Sequence, residues 1–189
     1  MHIEPDVMAE SKLWLSYLTA AGVGAYTLTI AREEIRSRGL ASLAGRSLIA
    51  SLLVFCFFEV LPHYPIGVSE VHLILGSTLF LLLGAGPAAI GLAAGLLLQG
   101  IFFAPFDLPQ FGMNVTTLLV PLFALADLAR RLIPLKTPYV DLRYGQALAL
   151  STAYQAGIVS WVAFGAFYGQ GFMATMPYRS AHLAEPTCW

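Results

Sequence analysis

Residues 71–106 read VHLILGSTLFLLLGAGPAAIGLAAGLLLQGIFFAPF and contain no Asp, Glu, Lys or Arg. An uncharged apolar run of 36 residues is typical of a chain inside a membrane, where each helix needs about 20 apolar residues. The run is too long for one such helix, and Gly84-Ala85-Gly86-Pro87 interrupts it with residues that favour a turn. The stretch therefore predicts a helical hairpin, with one helix over residues 71–84 and the other over residues 88–104.

Charge is scarce along the whole chain of 189 residues, of which 58% are hydrophobic and 11% charged. Soluble proteins carry about a quarter charged residues, so this composition excludes an ordinary soluble domain. The net charge of −1 also argues against a nucleic-acid partner. Because a backbone in lipid must satisfy its own hydrogen bonds, helices are expected. We predict an all-α, polytopic membrane bundle of about six transmembrane helices.

The other spans are predicted from the remaining apolar runs. They cover residues 13–31, 47–61, 113–126 and 146–168. We expect a single membrane domain over residues 1–189, with an outer N-terminal segment (1–12), a helix bundle (13–170) and a polar tail (177–189). The acidic opening MHIEPDVMAES is unlike the basic start of a secretory signal, so the N-terminus is expected to be mature as written.

Two local features of these spans leave alternatives open. Fourteen residues over 71–84 rise only about 21 Å, against a bilayer core of about 30 Å. Either this helix begins below the outer surface, with residues 62–67 lining a cavity, or Ser69 and Glu70 extend it. The small residues at 20–25 in the first span allow close helix approach, either inside the bundle or to another membrane subunit.

The distribution of Lys and Arg predicts the orientation. With the N-terminus outside, the inner loops hold eight of the ten basic residues: Arg32, Arg36, Arg38, Arg46, Arg130, Arg131, Lys136 and Arg143. Only Lys12 and Arg179 lie outside. This bias obeys the positive-inside rule. The same orientation places all four histidines on the outer side: His2, His63, His72 and His182.

The opening Met1-His2 can act as a metal chelate. A free amine, the amide nitrogen between residues 1 and 2, and an imidazole at position 2 supply three nitrogen donors. Nitrogen ligands in tetragonal geometry suit Ni(II) or Cu(II), and Co(II) is also compatible, whereas structural zinc prefers a tetrahedron. The alternative is that a histidine following Met1 is there by chance.

A fourth nitrogen is available from His72, on the same side of the membrane. Ionisable groups within spans are functional candidates by default, although an imidazole at a helix end often serves packing. His63 is a weaker candidate for an entry ligand, and Glu70 for electrostatic attraction of a cation. Asn114 is expected either to orient a ligating imidazole or to cap the fifth helix.

Four stretches resemble one known family. They are Met1-His2-Ile3 and the segments VSEVHLILG (68–76), GLLLQGIFF (95–103) and FGMNV (111–115). Together they are similar to the CbiM/NikM family, the metal-specificity membrane component of cobalt and nickel transporters of the energy-coupling-factor type. The likeness covers about residues 1–170.

The resemblance implies a function and a set of partners. Met1, His2 and His72 would bind Co(II) or Ni(II) as the transported substrate, and Asn114 would support the N-terminal segment. A transmembrane coupling subunit and cytoplasmic ATPase subunits would complete an ABC-type transporter, sometimes with a small accessory membrane subunit. The chain would be a multi-pass protein of a prokaryotic cytoplasmic (inner) membrane. It shows no Walker-type phosphate loop, so it is not expected to be an enzyme or to hold an ATP site.

Two other functions remain open from the sequence. The first is a membrane redox subunit with haem, which would need paired histidines at matching depth inside facing helices. The second is a structural or assembly subunit of a membrane complex with a vestigial metal site. The polar end at residues 177–189 keeps the second open, because the family often continues into another apolar helix.

Overall fold

The computed structural model describes residues 10–59, 64–66, 69–71, 75–133 and 141–170. These residues form six α-helices: α1 (Glu10–Arg38), α2 (Leu40–Glu59), α3 (Gly76–Leu83), α4 (Ala85–Phe102), α5 (Phe111–Leu132) and α6 (Tyr144–Gln170). A 3₁₀ helix (Pro105–Gln110) precedes α5, and two short strands, β1 (Tyr64–Ile66) and β2 (Ser69–Val71), precede α3. The predicted all-α membrane bundle is confirmed.

Successive helices run antiparallel, and we call the end where α1 begins the upper end. There the hydroxyl of Tyr17 on α1 donates to the carbonyl of Pro109, 2.8 Å away in the 3₁₀ helix. At the lower end, Arg46 near the start of α2 donates to the carbonyl of Leu83, the last residue of α3. Gln146 at the start of α6 donates to the carbonyl of Leu132, the last residue of α5. The starts of α1, α3 and α5 therefore point toward the upper end.

The closest helix packing joins α2 to α4 through two glycines. A Cβ on Gly91 would overlap Ala50, and one on Gly95 would lie 2.6 Å from Cγ1 of Val54. These glycines are four residues apart and so share one face of α4. Small residues at such spacing allow membrane helices to approach until their backbones nearly touch.

Helix α5 lies at the centre of the bundle, and the perimeter is apolar. Its residues Leu118, Leu119 and Leu122 are buried in one core cluster with Leu92 of α4 and Tyr154 of α6. Large apolar side chains are exposed on the outside of the bundle, including Trp14, Leu18, Leu28, Leu48, Leu52 and Phe164. A contiguous apolar exterior is expected of a protein that contacts lipid. In the part of the chain that the structure describes, four helices are long and apolar enough to cross a membrane, within α2, α4, α5 and α6.

Each predicted span overlaps one helix of the described residues, but the bounds differ. Helix α1 continues to Arg38, beyond the predicted end at 31, and α5 continues to Leu132, beyond the predicted end at 126. The second span, predicted from 47, begins at Leu40. Uncharged runs delimit the lipid-compatible part of a helix, whereas the helix itself continues through Arg and Glu into the interface.

The predicted hairpin needs two corrections. The turn predicted over residues 84–87 is confined to Gly84, because Ala85, Gly86 and Pro87 are the first turn of α4, where proline is tolerated. Gly84 has φ +91°, a conformation that glycine adopts without steric cost.

The first helix of the hairpin is much shorter than the predicted 71–84. It begins at Gly76, because Ser69–Val71 forms strand β2, antiparallel to β1 with Pro65 opposite Glu70. Extension of the helix by Ser69 and Glu70 is therefore wrong, and the helix begins below the upper end. Residues 60–63 and 67–68 lie outside the described part of the chain, so the cavity predicted along 62–67 stays a prediction.

Much of the small-residue patch of α1 is not packed against another helix of the described bundle, although Val23 within it contacts the core. Ala21 and Ala25 are exposed, and a Cβ on Gly22 or Gly24 would meet no atom within 4 Å. Close helix approach inside the described bundle is therefore not made by Ala21 and Ala25, and docking of another membrane subunit stays a prediction.

Candidate functional site

The upper part of α1 is held against the start of α5. Besides the Tyr17 contact, a Cβ on Gly112 of α5 would lie 3.2 Å from the carbonyl oxygen of Ser16. One turn further down, the hydroxyls of Thr19 and Thr116 lie 3.5 Å apart. The first turns of α1 are thus fixed at the corner where the 3₁₀ helix meets α5.

This corner buries three side-chain amides. Gln99 of α4, Gln110 of the 3₁₀ helix and Asn114 of α5 are 7%, 2% and 3% exposed. Gln99 and Asn114 line a cavity of about 10 Å³, close to the smallest volume that holds one water. Its other lining residues are apolar or glycine: Leu96, Gly100, Ala104, Leu108 and Phe111. The polar groups are therefore placed in an otherwise apolar setting between α4 and α5.

Two of the amide oxygens accept no hydrogen bond from the described part of the chain. They are Oε1 of Gln99 and Oε1 of Gln110, and both atoms are fully buried. Leaving a buried acceptor without a donor costs about 1–3 kcal/mol. In a membrane bundle that cost is avoided when a donor arrives from another segment of the chain or from bound water.

The alternative predicted for Asn114, capping of the fifth helix, is wrong. The residue that precedes α5 is Gln110, which makes no side-chain capping hydrogen bond, and Asn114 lies one turn inside the helix. Its buried amide belongs to the wall of the cavity between α4 and α5.

Helix α3 begins deep inside the bundle. Its 8 residues rise only about 12 Å at 1.5 Å per residue, and its last residue, Leu83, lies at the lower end. Leu75, which precedes it, is half-buried and has a non-helical backbone, with φ −86° and ψ 40°. Non-helical backbone at membrane depth is tolerated only where protein buries it or it lines a cavity. Leu75 and the start of α3 therefore lie in the interior of the bundle.

The predicted metal ligands lie outside the described residues. Met1, His2 and His72 are not in the described ranges, nor is the weaker candidate His63. Glu70 is placed by its backbone in β2. Among the described residues, no group of three His, Cys, Asp or Glu side chains lies close enough to hold a metal ion. The predicted ligand set therefore stays a prediction, and the structure describes the helices that follow these ligands in the chain.

The sequence prediction missed two features of these surroundings. The first is the burial of Gln110, which is one of few polar residues in a long apolar stretch and is almost completely buried. The close contact of Gly76 with Tyr154 joins residues 78 positions apart, and no local pattern indicates such a contact.

Comparison with known proteins gives one match. The family model described as the cobalt uptake substrate-specific transmembrane region, CbiM, matches residues 2–183. No curated protein and no solved structure matches the chain. The match includes every described residue as well as His2, His63 and His72.

Proposed function

Since the chain belongs to the CbiM family of cobalt uptake substrate-specific transmembrane regions, we propose that it captures Co(II) or Ni(II) for an ATP-driven uptake transporter. As a member of this family it is a transporter component and a multi-pass membrane protein. Our proposal adds three points to the family assignment: the ligand set, Ni(II) as an alternative substrate, and the ATP-driven partner subunits.

The proposed ligands are four nitrogen atoms. The amine of Met1, the amide and imidazole of His2, and the imidazole of His72 surround the ion in a square plane, a geometry that suits Ni(II) and is compatible with Co(II). Each nitrogen binds without its proton, so capture releases protons. Asn114 supports the N-terminal segment, while His63 and Glu70 attract the cation toward the site.

One observation supports this proposal: the starts of α1 and α3 both point toward the upper end, where the corner of buried amides lies. Helix α1, which follows Met1 and His2 in the chain, is bonded to the 3₁₀ helix and to the first turns of α5. Helix α3 begins halfway down the bundle, four residues after His72. The buried carbonyls of Gln99 and Gln110 are ready acceptors for N–H groups of a segment folded into that corner.

The direction of transport follows from charge. We place the upper end outside, because the arginines at the helix ends concentrate at the lower end, on α1 and α5. Uptake then needs energy from partner subunits, a transmembrane coupling protein and cytoplasmic ATPases, with a small accessory membrane subunit in some assemblies. The chain itself binds and translocates the ion and performs no covalent catalysis.

Titration of the purified chain with Co(II) and Ni(II) tests the ligand set. We expect His2→Ala and His72→Ala each to weaken binding by at least about 100-fold, the upper range for losing even a supporting group at a metal site. His182→Ala is the matched control, because it removes an imidazole from the polar tail, and its affinity should equal that of the wild type.

Three results would contradict the proposal. Unchanged affinity in His72→Ala excludes that ligand. A wild-type chain that binds neither metal indicates a structural or assembly subunit with a vestigial site. A Soret band in the purified protein indicates a haem-binding redox subunit.

A further inference from the structure

We propose that α3 is a spacer held at fixed depth, and that Arg46, Gly76 and Tyr154 are positioning residues for the metal ligand that precedes it. This inference rests on the proposed function, in which His72 binds the ion. In this inference, the depth of His72 in the membrane is set by contacts at both ends of α3.

The lower end of α3 is tied to two other helices by Arg46. One guanidinium nitrogen, Nη1, donates to the carbonyl of Leu83 at 2.7 Å, and Nη2 lies 2.7 Å from the carboxylate of Glu34 on α1. Leu83 is the last residue of α3, where carbonyls lack partners inside the helix. Both charged side chains are less than a fifth exposed, so the contact is protected from solvent.

The upper end of α3 is tied to α6. Gly76, its first residue, lies against the ring and hydroxyl of Tyr154, so closely that a Cβ there would overlap both. Tyr154 is fully buried, and its hydroxyl donates to the carbonyl of Leu118 on α5 at 3.4 Å. In the next position, the hydroxyls of Ser77 and Ser151 lie 3.1 Å apart.

Contacts at both ends fix α3 along the bundle axis. A slide of one residue, about 1.5 Å, would stretch the Arg46 hydrogen bond at one end or drive α3 into Tyr154 at the other. His72 lies three positions before Leu75, so chain length limits their Cα separation to about 11 Å. The position of α3 along the bundle axis therefore limits the depth at which the His72 imidazole meets the ion. Proteins select between Co(II) and Ni(II) mainly through the geometry of the ligands. The position of α3 therefore also influences the ratio of the Ni(II) affinity to the Co(II) affinity.

Gly76→Ala tests the upper contact. The added methyl displaces α3 from Tyr154, and we expect Ni(II) affinity to fall by about 10-fold, within the range for groups that orient a ligand. The absorption spectrum of bound Ni(II) and the ratio of Ni(II) to Co(II) affinity should change as well, and a mere loss of folded protein would alter neither. Gly22→Ala is the matched control, because a Cβ there meets nothing within 4 Å, and it should bind as the wild type does.

A second substitution tests whether Tyr154 mediates this effect. Tyr154→Leu removes the ring that the methyl strikes, so Gly76→Ala combined with Tyr154→Leu should regain at least about fivefold in affinity over Gly76→Ala alone, a coupling typical of residues in contact. Failure of the double variant to regain affinity overturns the role of Tyr154.

Arg46→Lys tests the lower contact without adding bulk, and it decides the matter if Gly76→Ala does not fold. Lysine keeps a positive charge beside Glu34 but lacks the planar fork that holds the carboxylate and the Leu83 carbonyl together. We expect the ratio of Ni(II) affinity to Co(II) affinity to change. If Gly76→Ala and Arg46→Lys both retain the wild-type affinity, ratio and spectrum while His72→Ala loses binding, the positioning role is wrong and the proposed ligand set stands. If His72→Ala also binds normally, the proposed function itself fails.

Discussion

Gln99 and Gln110 each bury a side-chain carbonyl oxygen that accepts no hydrogen bond from the described residues. Their surroundings are apolar, so each oxygen would be costly to leave without a donor. We attribute the missing donors to the N-terminal segment of the proposed metal site, which precedes α1 in the chain. The sign of a stability change can test this attribution at a single residue.

Gln99→Leu replaces the buried amide with an apolar side chain of similar size. If the carbonyl accepts a hydrogen bond from the N-terminal segment, the substitution should lower the unfolding temperature and weaken Co(II) and Ni(II) binding by about 10-fold. If it has no partner, removing a buried unsatisfied acceptor should raise stability instead. Thermal unfolding and metal titration of the same variant distinguish the two, and a more stable variant with unchanged affinity would contradict our account.

At the scale of elements, the contact between α2 and α4 depends on the absence of two side chains. Gly91 and Gly95 face Ala50 and Val54 at distances that no Cβ tolerates. This contact supports the candidate site, because α4 carries Gln99 one turn above Gly95. A bulkier residue in the contact would separate the helix that forms one wall of the cavity from its neighbour.

Gly95→Ala should therefore destabilise the protein, although alanine is the better helix former. Overpacking of a filled contact costs about 1–3 kcal/mol, which corresponds to a fall of about 2–10 °C in the unfolding temperature for a chain of this size. Gly24→Ala serves as the control, because a Cβ at Gly24 meets nothing within 4 Å. Val54→Ala in the same chain should restore part of the loss, and a Gly95→Ala variant as stable as the wild type would show that the contact is not close.

Much of the helical architecture could be predicted from the sequence, because lipid imposes one solution on long uncharged runs. Six helices and the break at Gly84 follow from composition and turn chemistry alone. The start of α3 could not be predicted, because residues 71–84 are uncharged and mostly apolar and no local pattern marks where the strand ends and the helix begins. The contacts that stabilise α3 come from Arg46 and Tyr154, which lie far away in the sequence.

For the candidate site, the sequence predicts the nitrogen donors but not the buried amides near α5. The nitrogen donors Met1, His2 and His72 are recognisable because their chemistry depends on residue type and spacing, and they remain predictions. The wall of buried amides depends on helix packing. Gln110 shows this well, since its burial follows from the approach of the 3₁₀ helix to α4, where a Cβ on Gly100 would lie 2.9 Å from Leu108.

At the scale of the whole molecule, orientation follows from the basic residues. We predict that the upper end faces outward. In a chain whose Cys56 and Cys188 are replaced by Ala, Pro105→Cys at the upper end should react with a membrane-impermeant thiol reagent in intact cells. Ser37→Cys at the lower end should react only after the cells are made permeable.

Both positions are exposed, so a difference in labelling reports the side of the membrane. Labelling of Ser37→Cys but not Pro105→Cys in intact cells would reverse the orientation. It would also place the proposed metal site on the inner face.

The central claim is that the free N-terminus of the chain is itself a metal ligand. Its most direct test is calorimetric titration of Ni(II) and Co(II) into a variant with one residue added before Met1, beside a control with one residue added after Trp189. The account predicts that the N-terminal addition weakens binding by at least about 100-fold, because it displaces the amine from the chelate formed with His2. The control should bind as the wild type does. Wild-type affinity in the N-terminally extended chain would contradict the account.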